Sequence, residues 1–235
     1  MPRRQEIKRA MVVVAHADDA EFGCSGTVAR WCSEGTSVVY VLCTDGSKGS
    51  SDPKISSKEL AKIRRKEQEE AGKILGLKEI VFLDYPDSYL QPTLDLRKDI
   101  AREIRRTKPE VLICQNPIRT LSFGRGSGHP DHIAAGESAL SAVFPTARDR
   151  LTFPDLLEEG LEPHNVSEVW IMGTDSPDWW VDVSEYMDQA IKSLEQHTSQ
   201  VSGRDVAERL KDGRRRVGEP HGMGYGEAFK RLVFN

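Results

Sequence analysis

Apolar residues alternate between two spacings along this chain, and that alternation limits the folds open to it. Short continuous runs such as Met11–Ala15 are rich in β-branched residues, which is typical of a strand buried on both faces of a sheet. Longer stretches between these runs carry apolar residues at helical spacing, as in Ser57 to Gly76. Strands separated by helices predict βαβ units and a largely parallel sheet.

The same patterns predict the order of the elements. Strands are expected at Met11–Ala15, Ser37–Thr44, Glu79–Leu83, Val111–Cys114 and Glu168–Met172. Helices are expected from about Glu21 to Glu34, from Ser57 to Gly76, over Leu94–Lys108, from Pro130 to about Val143, over Tyr186–Gln200 and over Asp205–Arg216. No repeat, low-complexity tract or linker interrupts this series, so we predict a single α/β domain over residues 1–235.

Composition narrows the class of protein. The formal net charge is −4, so the overall field does not favour nucleic acid as a partner. No stretch approaches the ~20 apolar residues that span a bilayer, and Met11–Ala15 is too short for the core of a signal peptide. The four cysteines form no Cys-x-x-Cys pair, which argues against a thiolate zinc site or a redox pair, and reduced core thiols are expected. We therefore expect a soluble, cytoplasmic protein that binds no membrane.

A cluster of polar residues, Ala15-His16-Ala17-Asp18-Asp19-Ala20-Glu21, directly follows the first predicted strand. In open α/β sheets the binding crevice lies beyond the carboxyl ends of the strands, so these side chains are expected to enter it. His16 and Asp19 are three residues apart, which places them on one side of a turn, and imidazole with carboxylate suits a cation such as zinc. Asp18 points elsewhere and is free to handle a proton.

A second cluster, Gly128-His129-Pro130-Asp131-His132, follows a glycine-rich loop after the fourth strand. Pro130 fits the first position of a helix, and Asp131 complements the positive helix start. His129 precedes the helix and His132 lies within it, so the two imidazoles can point differently, one to a metal and the other to a substrate.

Each cluster alone has a simpler explanation, because aspartates at a helix start are common caps. Two such clusters at strand-to-helix junctions of one parallel sheet are harder to explain as caps. Together they predict a metal site with three protein ligands, beside which one further carboxylate and one further imidazole remain for proton transfer. This set of groups is typical of a metal-dependent hydrolase.

In these two clusters the chain resembles the LmbE-like, or PIG-L, superfamily of zinc-dependent N-acetylglucosaminyl deacetylases. Members carry His-Pro-Asp-Asp after strand 1 and His-Pro-Asp-His after strand 4 of a Rossmann-like fold. Further matching segments are Thr44-Asp45-Gly46, Arg64-Arg65-Lys66-Glu67, Tyr85-Pro86-Asp87, His197-Thr198-Ser199-Gln200 and Gly226-Glu227-Ala228-Phe229. The resemblance covers most of the chain and implies a Rossmann-like, mostly parallel sheet with helices on both faces.

The resemblance also implies roles for particular residues. It makes His16, Asp19 and His132 the ligands of one Zn²⁺ ion, and Asp18 the general base. His129 would steady the oxyanion or protonate the leaving amine. Asp131 would orient a metal ligand.

Two further residues, Arg64 and Asp87, match positions where relatives contact the sugar. For Arg64 two alternatives stay open: Arg65 takes that place, or either arginine is a surface charge of its helix. For Asp87 the alternative is a turn residue.

The sequence departs from the family pattern at two positions. Ala17 replaces the proline of the first motif, which removes a backbone restraint but no functional group. Some relatives place an oxyanion-binding tyrosine where this chain has Ser127, so either His129 and zinc suffice here or a loop group such as Arg125 assists.

The predicted function is hydrolysis of the amide bond of an N-acyl group. The favoured substrate is the acetamide of a glucosamine-type sugar. One alternative is an amidase with the same metal centre that acts on a thiol-sugar conjugate or an antibiotic intermediate. Another is a non-catalytic sugar- or nucleotide-binding protein, although no Gly-x-Gly-x-x-Gly follows the first strand. The expected partner is a small N-acylated sugar, and a homo-oligomer is compatible with the sequence. Iron or cobalt also suits the three ligands.

Overall fold

A computed structural model describes residues 7–119, 128–203 and 205–234. Its strands, numbered along the chain, are β1 (Arg9–Val14), β2 (Ser37–Thr44), β3 (Glu79–Tyr85), β4 (Val111–Gln115), β5 (Glu168–Met172), β6 (Trp179–Asp182) and β7 (Gly226–Val233). They form one seven-stranded sheet in the order β3-β2-β1-β4-β5-β7-β6. β1 to β5 pair with one another in parallel, and β7 runs antiparallel between β5 and β6. The predicted single α/β domain with a mostly parallel sheet is confirmed.

Helices separate most of the strands along the chain. They are α1 (Asp19–Ser33), α2 (Ser57–Leu75), α3 (Leu94–Thr107), α4 (Pro130–Ser141), α5 (Asp155–Glu158), α6 (Met187–Leu194), α7 (Thr198–Val201) and α8 (Val206–Gly218). A short π-helical segment, Ala142–Thr146, continues α4. No helix in the described ranges is both long and apolar enough to cross a membrane.

Helices pack against both faces of the sheet, as predicted. Because successive side chains of a strand point to opposite faces, β1 supplies both layers of the core. Val12 and Val14 pack on the side of α1, α6 and α8, whereas Met11 and Val13 pack on the side of α3 and α4. The sheet is therefore buried on both faces, which explains why its central strands are continuous apolar runs.

Strands β6 and β7 were not predicted from the sequence. β6 has only four residues, and β7 includes Lys230 and Arg231, so neither has the apolar run that identifies the central strands. Lys230 forms an ion pair with Asp178, which satisfies its charge at this end of the sheet. Polar residues are tolerated here because antiparallel strands near a sheet margin keep partial contact with water.

The predicted helix over Tyr186–Gln200 was wrong in its extent. The structure breaks it into α6 and α7, and His197 between them has a ψ of 52°, outside the helical range. The side chain of His197 is fully buried and lies 3.3 Å from the carboxylate of Glu21. The chain therefore leaves the helical path where it brings an imidazole against a buried acid.

The side chain of Glu227 in β7 binds backbone groups of α1. α1 is kinked at Cys24, which has non-helical φ and ψ. The N–H groups of Gly26 and Thr27 after the kink donate to the Glu227 carboxylate at 3.0 and 2.8 Å. The carboxylate is 1% exposed and also pairs with Arg214 at 2.9 Å. A buried acid thus binds the N–H groups that the kink frees from the helix.

Candidate metal centre

The predicted site residues lie where parallel strands end. His16 follows β1, Asp87 follows β3, and His129, Asp131 and His132 open α4 after β4. Parallel strands bring their carboxyl ends to the same edge of a sheet, so separated segments of the chain meet there. Gly136 allows α4 to approach closely, because a Cβ at this position would lie 2.2 Å from the carbonyl oxygen of Gln115.

Three nitrogen and oxygen donors converge on one point in this edge. His16 Nδ1 is 3.3 Å from His132 Nε2 and 3.3 Å from Asp19 Oδ2. His132 Nε2 is 3.1 Å from Asp19 Oδ1. Two imidazole nitrogens and a carboxylate at these separations match the donor set that divalent transition metals take in open catalytic sites. The residues present therefore fit a bound metal ion.

Two carboxylates hold the other side of the His16 ring. Nε2 of His16 is 3.1 Å from Asp131 Oδ2 and 3.2 Å from Asp87 Oδ1. Burial favours the neutral ring, but hydrogen bonds to Asp131, Asp19 and Asp87 raise the pKa of His16 to about 11. Burial likewise opposes ionisation of Asp87, yet the hydrogen bond to His16 lowers its pKa to about 2. The carboxylates fix the ring so that Nδ1 faces Asp19 and His132.

The carboxylate of Asp19 is ionised in this setting. Its burial opposes the charge, but the imidazoles of His132 and His16 hold the pKa of Asp19 well below its usual value. Its Oδ2 also accepts the backbone N–H of His16 at 2.7 Å, which closes the turn between the two donors. The three-residue spacing seen in the sequence thus brings both side chains to the same point.

Asp18 differs from its neighbour in conformation and environment. It stands at the N-cap of α1 in the left-handed region, with φ 88° and ψ −24°, and its side chain makes no capping hydrogen bond. Its Oδ1 lies 3.8 Å from Arg64 Nη2. Burial and the charge of Asp19 raise the pKa of Asp18 to about 7. The Asp18 side chain therefore does not cap α1, and its carboxylate is available for proton transfer.

His129 lies against the proposed ligands but makes a different contact. Its ring centroid is 4.8 Å from that of His16 and 5.1 Å from that of His132. Its Nδ1 accepts the N–H of Asp131 at 3.1 Å, which leaves Nε2 as the ring atom that can donate. Burial, and then the charges of His16 and His132, lower the pKa of His129.

Arg64 and Asp87, the two predicted sugar contacts, both lie beside the centre. The guanidinium of Arg64 donates to the carbonyl oxygens of Ala17, Lys48 and Gly46 at 2.7, 3.2 and 3.4 Å. It is 5% exposed, which excludes the alternative of a surface charge for this residue. Its nearest Asp87 oxygen is 3.7 Å away.

The competing position, Arg65, points away from the centre. Its guanidinium lies 3.9 Å from the centroid of the Phe82 ring and pairs with Asp84. Of the two arginines, Arg64 is the one that borders the centre.

Three buried residues lie beside the centre: Gln68, which was not singled out from the sequence, Glu21, which belongs to the first cluster but was given no role, and His197, which lies in a segment that matches the family. Gln68 accepts the N–H of Asp18 at 3.3 Å and donates to Glu21 at 2.9 Å, and Glu21 lies 3.3 Å from His197. All three have an exposure of 0%. The sequence signal that could have identified them is a polar residue at a position that faces the core. Ser127 and Arg125 lie outside the described residues.

A cavity of about 250 Å³ adjoins the centre and is lined by Asp19 and His132 on one side. Its other walls are largely apolar and include Phe22, Ile133 and Met172. The centre therefore borders a space that a small molecule can enter. All four cysteines are free, and Cys24, Cys43 and Cys114 are buried, as expected of reduced core thiols.

Comparison with known proteins gives consistent matches. A family model described as PIG-L: GlcNAc-PI de-N-acetylase matches residues 11–143, more than half of the chain. Diacetylchitobiose deacetylase of Thermococcus kodakarensis is 34% identical over 195 residues, which are 83% of this chain and 71% of that protein. Mycothiol S-conjugate amidase of Streptomyces coelicolor is 33% identical over 168 residues, 63% of this chain and 55% of that protein.

A solved structure is also similar over nearly the whole chain. N,N'-diacetylchitobiose deacetylase from Pyrococcus horikoshii, complexed with its inhibitor MPG, superposes with a TM-score of 0.89 at 31% identity. The match covers 97% of this chain and 85% of that one. The family match includes both polar clusters, since residues 15–21 and 128–132 fall within it.

Proposed function

The chain belongs to the PIG-L family of GlcNAc-PI de-N-acetylases, and we propose that it is a zinc-dependent N-deacetylase that removes the acetyl group from a glucosamine-type sugar. The reaction is hydrolysis of an amide, in which water adds to the acyl carbon, the C–N bond breaks, and acetate and a free amine leave. The observation that carries the proposal is the convergence of His16, Asp19 and His132 within 3.3 Å of one another, next to two further proton-transfer groups.

His16, Asp19 and His132 are the residues that would hold the metal. When bound, zinc supplies Lewis-acid chemistry, because it polarises an acyl oxygen and lowers the pKa of a water molecule to about 7. Iron or cobalt suits the same donors. Asp131 orients the His16 ring by accepting from its Nε2, which keeps Nδ1 directed at the ligand position.

Asp18 accepts the proton of the attacking water. Its carboxylate adjoins the ligands without bonding to the helix end, and its pKa of about 7 lets it take and release a proton near neutral pH. His129 donates from Nε2 to the oxygen that gains charge or to the leaving nitrogen, since its Nδ1 is already an acceptor for Asp131 N–H.

Arg64 and Asp87 form the side of the centre where a sugar would be recognised. Asp87 Oδ2 accepts the N–H of Lys48 at 2.9 Å, so the carboxylate is fixed before any substrate enters. Preorganised polar groups of this kind select hydroxyl-rich ligands.

The similarity favours a deacetylase over an amidase that acts on a thiol-sugar conjugate. The match to the Thermococcus deacetylase spans 83% of this chain, against 63% for the Streptomyces amidase. A non-catalytic binder would have no need of Asp18 or His129. A cytoplasmic location and a homo-oligomer stay predictions.

The test is amine release from a panel of N-acylated sugars. Zinc-loaded protein is incubated with N,N'-diacetylchitobiose, N-acetylglucosamine and a glucosamine that carries a bulkier thioether-containing acyl group, and primary amine and carboxylate are quantified. We expect equimolar amine and acetate from an N-acetyl substrate. Release from the thioether substrate alone would support the amidase, and no release by fully metal-loaded protein would contradict the proposal.

A further inference from the structure

One peptide group beside the metal centre is held at both of its polar ends by the same helix. The carbonyl oxygen of Ala17 accepts from Arg64 Nη2 at 2.7 Å. The N–H of Asp18, which belongs to the same peptide plane, donates to Gln68 Oε1 at 3.3 Å. Residues 64 and 68 are four apart in α2 and therefore lie one turn apart on one face of that helix. α2 thus fixes the orientation of the Ala17–Asp18 peptide.

The conformation of Asp18 makes such a restraint necessary. Its φ of 88° lies in the left-handed region, which costs a residue with a Cβ about 1–2 kcal/mol. Its side chain makes no hydrogen bond to the helix that follows, so the usual capping interaction does not hold it. Ala17 does not fix its own φ as a proline would. The carbonyl oxygen of Asp18 accepts the N–H of Phe22 in α1 at 2.9 Å, and the peptide that precedes Asp18 is held by α2.

Gln68 is itself fixed by buried groups. Its Nε2 donates to Glu21 Oε1 at 2.9 Å, and the other Glu21 oxygen is 3.3 Å from His197 Nε2. Gln68, Glu21 and His197 all have an exposure of 0%. Glu67, the neighbour of Gln68 in α2, accepts three hydrogen bonds from the start of α7, which places His197. The amide orientation of Gln68 follows, because its donor side must face the Glu21 carboxylate and its acceptor side faces Asp18.

We propose that Gln68 is a positioning residue that holds the Ala17–Asp18 peptide so that the Asp18 carboxylate faces the reacting water. This inference rests on the proposed function, in which Asp18 accepts the proton of that water. Gln68 touches none of the proposed metal ligands through its side-chain hydrogen bonds, so its effect is separable from metal binding.

The first test variant is Gln68→Met, which keeps the length of the side chain and removes both hydrogen bonds. Misplacement of a reacting group by about 1 Å typically costs 10²-fold, so we expect kcat to fall by about 10- to 100-fold. KM is expected to stay within about twofold, because the loss lies in the chemical step and not in binding. The zinc content per chain is expected to match that of the unmodified protein.

The matched control is Gln189→Met. Gln189 is also a glutamine that bonds to α2, since its Nε2 donates to the carbonyl of Ile74 at 2.7 Å. The chemical change is the same, but the bond lies at the C-terminal end of α2 and does not involve the Ala17–Asp18 peptide. We expect kcat and KM near those of the unmodified protein.

A double variant that exchanges the amide of Gln68 with the carboxylate of Glu21 distinguishes a positioning role of Gln68 from a general loss of structure. Gln68→Glu alone puts a second carboxylate against Glu21 and is expected to lower kcat. The double variant Glu21→Gln/Gln68→Glu restores one donor and one acceptor at this contact and still accepts the N–H of Asp18. We expect it to regain kcat to within about fivefold of the unmodified protein, as coupled neighbours do in a double-mutant cycle.

Amide hydrogen exchange of Asp18 provides a readout that does not depend on activity. We expect the Asp18 N–H to be protected in the unmodified protein and in Gln189→Met, and at least about tenfold less protected in Gln68→Met. If the protein hydrolyses no N-acetyl sugar but this difference is found, the proposed function fails, whereas the restraint of the Ala17–Asp18 peptide by Gln68 is supported. Unchanged protection, a loss confined to KM or zinc content, or a double variant as slow as Gln68→Glu would overturn the inference.

Discussion

Replacement of Asp131 by asparagine tests whether the carboxylate behind His16 determines metal affinity. Asp131 is fully buried, and its Oδ2 lies 3.1 Å from His16 Nε2 and accepts the N–H of Ser88 at 2.7 Å. Its Oδ1 accepts the N–H of Leu90 at 3.3 Å. Asparagine has almost the same shape but offers one oxygen and one NH₂ group, so one of these donors then faces another donor.

The expected magnitude follows from those contacts. Loss of an outer-shell acceptor behind a metal-bound imidazole typically weakens metal binding by about 10- to 100-fold, which corresponds to about 1.4–2.8 kcal/mol. A buried N–H without an acceptor costs about 1–3 kcal/mol of folding free energy. For a chain of this size, each kcal/mol lowers Tm by about 2–4 °C. We therefore expect a clear loss of zinc affinity together with a moderate loss of stability.

The assay is zinc titration of metal-free protein against a competing chelator, with Tm measured by calorimetry. The matched control is Asp178→Asn, because Asp178 also accepts a backbone N–H, that of Arg231 at 2.8 Å, but lies at the margin between β6 and β7. Asp178→Asn should bind zinc as the unmodified protein does. If Asp131→Asn kept full zinc affinity while folded, the assigned role of Asp131 would be wrong.

Four other outcomes are expected. Asp18→Asn should retain zinc but lose about 10²–10⁴-fold in kcat, because an amide cannot accept the proton; near-normal turnover by metal-loaded Asp18→Asn would refute its role as base. Chelation should abolish amine release and added zinc should restore it, whereas activity that survives complete metal removal would exclude a metal-dependent reaction. Arg105→Met should lower the free energy of unfolding by about 3 kcal/mol or more, since the buried guanidinium donates to five carbonyl groups between residues 146 and 161; an unchanged denaturation midpoint would contradict this. Glu227→Gln should cost about 1–3 kcal/mol, because one oxygen that accepts from Gly26 or Thr27 is replaced by a donor, and urea unfolding measures it.

The central part of the fold could be predicted because its strands are buried on both faces. The strand limits Ser37–Thr44 and Glu168–Met172 were predicted as the structure has them. Such strands need continuous apolar sequence, and that signal is local. β7 pairs antiparallel with β5 and β6 near the margin of the sheet, and the adjacent Lys230 and Arg231 interrupt its apolar residues, so its sequence lacks this signal.

The meeting of the two short motifs could be predicted, since each motif follows a strand and parallel strands bring their carboxyl ends to one edge of the sheet. His16, Asp18 and Asp19 needed only the end of β1 to be located. The contact between Gln68 and the Asp18 peptide could not be predicted in the same way. It depends on which face of α2 packs against α1, and a charged, amphipathic helix such as α2 does not specify the partner of each polar residue.

The break after α6 illustrates the same limit. Tyr186–Gln200 has helical spacing, and local propensity favours one continuous helix. Burial of His197 against Glu21 is a tertiary contact between segments far apart in sequence, and it ends α6 before that residue. Polar residues inside an otherwise helical apolar pattern therefore mark the place where prediction from periodicity is least secure.

The position of a bound metal ion tests the account most directly. Anomalous X-ray diffraction at the zinc edge from crystals of the zinc-loaded protein locates the ion without reference to activity. We expect one ion per chain, about 2.0–2.2 Å from His16 Nδ1, His132 Nε2 and a carboxylate oxygen of Asp19. An anomalous peak elsewhere, or none in protein that is saturated with zinc, would contradict the account.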